Sequence, residues 1–154
     1  MSYPTLSAYL TVRDAVRAVD FYKVNFGAKE VFRLTEPQSG TISHAELRFG
    51  ETLLMLAEEN PAWNQSPATL NGTPVRLCLA VDDVDATLEK AAAAGATVLM
   101  PASDQFYGFR CGNLRDPFGH EWMIQKEIEK VSPEEMQRRW EQMLAENPNP
   151  KCGE

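Results

Sequence analysis

His44 and Glu46 stand two residues apart in ISHAELRF, residues 42–49, where apolar and polar side chains alternate. In an extended strand that spacing puts an imidazole and a carboxylate on one face, with Arg48 beside them, and sends Ala45, Leu47 and Phe49 to the other. The pair can serve three ends. An imidazole backed by a carboxylate moves protons near neutral pH, so His44 and Glu46 are candidate catalytic residues for general acid–base work. With Glu121 approaching from later in the chain, one nitrogen and two carboxylates could hold a divalent cation. The third use is structural, a polar strand face on which the carboxylate fixes the ring. His120 has the opposite parity to Glu121 and adjoins the turn Asp116-Pro117-Phe118-Gly119, where it is predicted to cap or pack.

Other side chains suit ligand binding. Arg110, in QFYGFRCG at 105–112, can grip a carboxylate or phosphonate through two parallel N–H bonds, or pair with a structural acid. Tyr107 lies in the same loop and is grouped with it as a ligand contact. Trp63, beside Asn64, Gln65 and Ser66, can stack on a flat ligand or anchor a loop on the protein surface. Cys111 has no base fixed beside it by the sequence and is a weak nucleophile candidate. The chain has no phosphate-loop motif, dinucleotide glycine fingerprint or G-x-S-x-G elbow, which removes those enzyme classes.

The elements that must carry these residues come in a repeated order. Residues 6–12 read as a strand, and Asp14 caps a helix running to about Phe26, with Val16, Val19, Tyr22 and Phe26 on one stripe and Gly27 closing it. Strands at 28–34, 42–49 and 52–57 complete a β-α-β-β-β unit. A polar linker containing Pro61, Pro67, Gly72 and Pro74 leads to the same grammar again: strand 75–81, a helix opened by Asp82-Asp83 and ending before Gly95, then strands 97–100, 109–114 and 120–125. Leu10, Val12, Asp14, Phe49 and Gly50 correspond at constant offset to Leu79, Val81, Asp83, Phe118 and Gly119, all at strand ends, caps or turns. Ser132-Pro133-Glu134-Glu135 opens a last helix, whose Met136, Trp140, Met143 and Leu144 form an apolar face to be covered by the chain's own sheet or across a homodimer.

The fold class is therefore α+β. Two tandem β-α-β-β-β modules, about 5–58 and 74–127, make a domain of residues 1–128, and residues 129–154 form an amphipathic helix and tail. One helix per module covers one sheet face, which predicts a curved mixed sheet around a concave cavity with a small-molecule ligand inside. Strand parity turns Glu121, Met123 and Gln125 toward that cavity and Trp122 and Ile124 away from it.

Composition narrows the partners. With 154 residues, 44% hydrophobic and 24% charged, the chain matches a soluble globular domain. A net charge of -7 argues against nucleic acid and anionic membranes. No apolar run reaches the roughly 20 residues that cross a bilayer, and residues 1–11 lack the basic start and apolar core of a signal peptide, so the expected location is cytoplasmic. Cys78, Cys111 and Cys152 form neither an even set nor a C-x-x-C pair; reduced thiols are expected, with Cys78 structural.

The segments Val12-Arg13-Asp14, Asp20-Phe21-Tyr22, Phe26-Gly27-Ala28, Val81-Asp82-Asp83-Val84-Asp85 and Arg115-Asp116-Pro117-Phe118-Gly119-His120-Glu121-Trp122 are familiar together. With them the chain resembles the vicinal oxygen chelate superfamily of glyoxalase I, extradiol dioxygenases and bleomycin- or fosfomycin-resistance proteins. Within it the chain is similar to the PhnB-like, glyoxalase-like group, in which a segment such as Val131-Ser132-Pro133-Glu134-Glu135-Met136 follows the second module. The resemblance implies that catalytic members hold a divalent ion with four side chains, usually His, Gln and Glu, from the first and fourth strands of each module.

The matching positions here are Ser7, Met55, Arg76 and Met123. None is a usual ligand for a hard or borderline cation, and Arg76 adds positive charge. No cofactor and no metal ligand is therefore expected, a relocated divalent metal being the alternative. The preferred expectation is a binding protein of the sequestration or resistance type, holding a small aromatic or amphipathic molecule against Met55, Met123, His44, Glu46 and Glu121. The rival is a glyoxalase-like lyase or isomerase, using His44 or Glu46 on a carbonyl or enol compound.

Overall fold

The alternations in the sequence become two four-stranded mixed sheets in the computed structural model, which describes residues 3–150. They belong to two units, one built from the chain up to Val75 together with Asp116–His120, the other from Arg76–Arg115 and the chain from Glu121 onward. Cys152 lies outside the described residues.

In the first unit, β1 (Ala8–Val12) runs parallel to β4 (Thr52–Glu58), β3 (Ile42–Phe49) is antiparallel to β4, and β2 (Lys29–Thr35) closes the order β1-β4-β3-β2. Helix α1 (Ala15–Phe26) covers one face, burying Ala15, Ala18, Val19, Tyr22 and Phe26 against Ala45, Leu47 and Leu56 of the sheet side. Val16, expected on that stripe, is exposed. Small alanines one residue before and two after it occupy the sheet-facing arc instead and let the helix lie close. The expected linker contains a short helix, α2 (Pro67–Leu70), which starts at Ser66, whose hydroxyl accepts the Thr69 N–H at 3.4 Å.

The Asp116–His120 turn also belongs to this unit. Asp116 Oδ1 accepts the N–H groups of Phe118 and His120 at 2.9 and 3.0 Å, and Oδ2 accepts the Tyr22 hydroxyl at 2.5 Å. Tyr22 is fully buried, and that burial, with the Asp116 charge beside it, holds its phenol well above the ordinary value. Phe118 meets Phe21 edge-on, and His120 Nε2 donates to the Thr11 carbonyl at 2.9 Å, the packing role its parity implied.

The second unit repeats the plan. β5 (Arg76–Ala80) is parallel to β8 (Glu121–Glu127), followed by β7 (Phe109–Arg115) and β6 (Thr97–Asp104) in the order β5-β8-β7-β6. Helix α3 (Val84–Ala93), capped by Asp83 on the Ala86 N–H, buries Val84, Leu88 and Ala91; Leu114, Trp122 and Ile124 are buried in the same unit. Strand β6 runs past the expected Met100 and through Pro101. It is an edge strand with register shifts between Met100 and Ser103, and proline is accommodated at such places. Helix α4 (Pro133–Glu146) is capped by Ser132, buries none of its residues, and rests on the turn before β7: Trp140 stacks on Phe106, and Arg139 donates to the Phe106 carbonyl. Cys78, expected to be structural, is exposed on β5.

Candidate functional site

Register assembles a candidate site on the first sheet. Glu46 pairs with Met55 across β3 and β4, Met55 with Tyr9 across β4 and β1, and Glu46 with Phe32 across β3 and β2. Four residues from four strands therefore stand abreast, on the face opposite to buried Ala45 and Leu47. His44 sits one pleat further along β3.

A chain of hydrogen bonds ties this face together. The Tyr9 hydroxyl lies 2.8 Å from His44 Nδ1, His44 Nε2 lies 3.3 Å from Glu46 Oε1, and the Tyr3 hydroxyl donates to the same Oε1 at 2.7 Å. Glu46 is only 5% exposed. A carboxylate accepts and cannot donate, so Nε2 carries a proton; in a neutral ring Nδ1 then accepts the Tyr9 O–H. Burial raises the Tyr9 phenol, and the hydrogen bond to Glu46, followed by its charge, raises that of Tyr3, so both hydroxyls keep their protons near neutrality.

Rings surround the imidazole. Tyr9, 51% exposed, and Phe32, 40% exposed, have centroids 5.5 and 5.6 Å from His44. The face thus presents aromatic surface around an imidazole with both nitrogens occupied, suited to stacking on a flat molecule, while the Tyr9 oxygen, which donates to Nδ1, can accept a hydrogen bond from its polar edge.

The structure joins His44, Glu46 and Met55 as neighbours in the first unit. In the second, Met123 stands abreast of Cys78 and Asn113, and Glu121 lies 2.9 Å from Arg115 and 3.7 Å from Arg76. Arg110 gives two bonds to Asp85, at 2.7 and 2.8 Å, and one to Asp104 at 2.8 Å, the structural pairing left open by the sequence. Those hydrogen bonds raise its basicity and lower the Asp85 carboxyl. Tyr107 is 3.5 Å from the sulfur of Cys111, which is fully buried, and Trp63 is 79% exposed on its turn.

Sequence reasoning missed Tyr3, Tyr9 and Phe32 as members of the site. For Tyr9 a signal existed: alternation in β1 sends it opposite to Leu10 and Val12, onto the same side as the polar residues of β3. Phe32 needed the β2–β3 register, which includes a bulge.

At the four positions that the resemblance assigns to metal ligands, none of the side chains present suits a divalent cation. Ser7 offers a neutral hydroxyl, Met55 and Met123 offer thioethers, and Arg76 is a cation beside Glu121. Among the described residues no three His, Cys, Asp or Glu side chains come together as a metal cage.

Two β-α-β-β-β units, each with its first and fourth strands parallel, define the vicinal oxygen chelate type of fold. The chain belongs to the Glyoxalase/Bleomycin resistance protein/Dioxygenase superfamily, whose family model matches residues 5–124. It is 41% identical over 138 residues to the uncharacterized protein Mb0911c of Mycobacterium bovis, covering 87% of this chain and 90% of that one. Among solved structures it is similar to TioX from Micromonospora sp. ML1, at 30% identity and a TM-score of 0.62, covering 82% of this chain and 99% of that one. The PhnB protein from Bacillus cereus, at 19% identity, shares the fold with a TM-score of 0.60 over 80% of this chain and 99% of that one.

Proposed function

We propose that this superfamily member binds a small, flat organic molecule on the His44 face of its first sheet and does so without a divalent metal. The observation that carries the reading is the imidazole held between the exposed rings of Tyr9 and Phe32, with both its nitrogens engaged. Stacking supplies affinity, and the Tyr9 oxygen, its proton given to His44, accepts a hydrogen bond that orients the ligand. Sequestration follows from binding alone. Titrating the protein with 2-naphthamide, an uncharged flat probe, tests this by NMR: shifts are expected to concentrate at Tyr9, Phe32 and His44, and Tyr9→Ala combined with Phe32→Ala to weaken binding at least tenfold. Shifts confined to other residues would refute it.

The hydrogen-bond chain supports a second reading, proton transfer. As the Tyr9 oxygen takes a proton from an acidic C–H of a carbonyl compound, its own proton passes to Nδ1, and the Glu46 carboxylate stabilises the resulting imidazolium. Return of both protons restores the chain. In that case His44→Ala abolishes turnover while affinity stays within a few-fold; equal loss of both would count against it.

A further inference from the structure

Eight of the nine arginines, 13, 17, 33, 76, 110, 115, 138 and 139, lie within reach of a carboxylate. The ninth, Arg48, has no ion-pair partner among the described residues, and its Nε is buried without a hydrogen bond. Arg48 stands two residues beyond Glu46 on β3, so its side chain rises on the same face as His44 and Glu46. A half-buried guanidinium with an unsatisfied N–H is costly to keep unless something else satisfies it.

The neighbouring row carries a second orphan. Arg48 pairs with Leu53, and Ala8 with Leu54, which places Ser7 at the start of β1 beside Leu53. The Ser7 hydroxyl is also buried without a partner. A guanidinium and a hydroxyl thus flank one buried leucine, and both can donate to the same class of acceptor. In a chain of net charge -7, a cation with no ion-pair partner among the described residues is a local exception that selects for negative charge.

We infer that the Arg48 end of this face is a carboxylate subsite, and that the molecule held over Tyr9 and Phe32 is an aromatic organic acid. Arg48 Nε and a terminal nitrogen meet the two carboxylate oxygens side-on, and Ser7 donates a further bond. This rests on the binding reading above and adds the charge of the ligand to it.

The test compares 2-naphthoate with 2-naphthamide, matched in ring and size, by calorimetric titration of the full chain. The acid is expected to bind at least tenfold more tightly than the amide. Arg48→Gln should bring the two within twofold of each other with the amide unchanged, and Ser7→Ala should reduce the preference in part. Arg48→Lys, which keeps the charge, should retain some preference, and provides the comparison if Arg48→Gln does not fold. Equal affinity of the unaltered protein for both probes, or equal weakening of both by Arg48→Gln or Arg48→Lys, overturns the subsite and leaves the binding reading standing. Failure of both probes to bind overturns the two together.

Discussion

At the residue scale, Glu58 completes what the first helix cannot do for itself. Asp14 caps α1 by accepting the Arg17 N–H at 3.2 Å, but the amides of Asp14 and Ala15 point toward the end of β4, where the two Glu58 oxygens accept them at 2.8 and 2.6 Å. A negative charge there also opposes the positive end of the helix. Asp14 has φ 65°, a left-handed conformation that few side chains except Asp and Asn accept, so the chain is held in a bend that the Glu58 bonds fix. Glu58→Ala is expected to cost about 2 kcal/mol, read as a lower urea midpoint at unchanged slope; an unchanged midpoint would show that water serves those amides equally well. The Asp14 cap was legible because it is local. Glu58 was not, since its partners lie 43 and 44 residues away; alternation could set Tyr9 on its face, but its bond to a histidine 35 residues off needed the sheet register.

At the element scale, Glu59 fastens α2 to the end of β4. It accepts the Ser66 N–H at 2.9 Å, the Thr69 hydroxyl, and Arg13 Nε at 2.8 Å, and these bonds, that of Thr69 foremost, lower its carboxyl from 4.5 to about 2. A depressed acid stabilises the fold above its unfolded value and loses that contribution as pH falls through its folded one. The melting temperature of Glu59→Gln is therefore expected to lie below that of the unaltered protein at neutral pH, with the gap closing between pH 4.5 and 2. A gap independent of pH would detach the charge from the effect. Four residues are too few to show periodicity, so α2 was not legible within the polar linker. Period-two and period-3.6 patterns made the long elements readable. Pro101 obscured the length of β6 because proline marks a stop in most strands and only an edge position accepts it.

At the scale of the whole molecule, the doubled order of elements was legible because caps and turns restrict residue choice, and His44 with Glu46 was legible from parity alone. Arg48 could be placed on its face, but that no carboxylate among the described residues pairs with it follows only from the folded structure. The four positions that the resemblance assigns to metal ligands give the broadest prediction. Protein purified without chelator is expected to contain less than about one metal ion per ten chains by elemental analysis, and stoichiometric nickel, zinc, manganese or iron would overturn the metal-free proposal.

Residues 116–120 fold with the first unit, while the strands before and after them belong to the second. A piece ending near Val75 would leave the Tyr22 phenol, the Phe21 ring and the Thr11 carbonyl facing solvent where Asp116, Phe118 and His120 now meet them. Dividing the gene at its linker would therefore part the first unit from a segment that completes it. A recombination that replaced one half by a homologous segment is therefore expected to keep its stability only where the imported loop still matches Tyr22, Phe21 and Thr11.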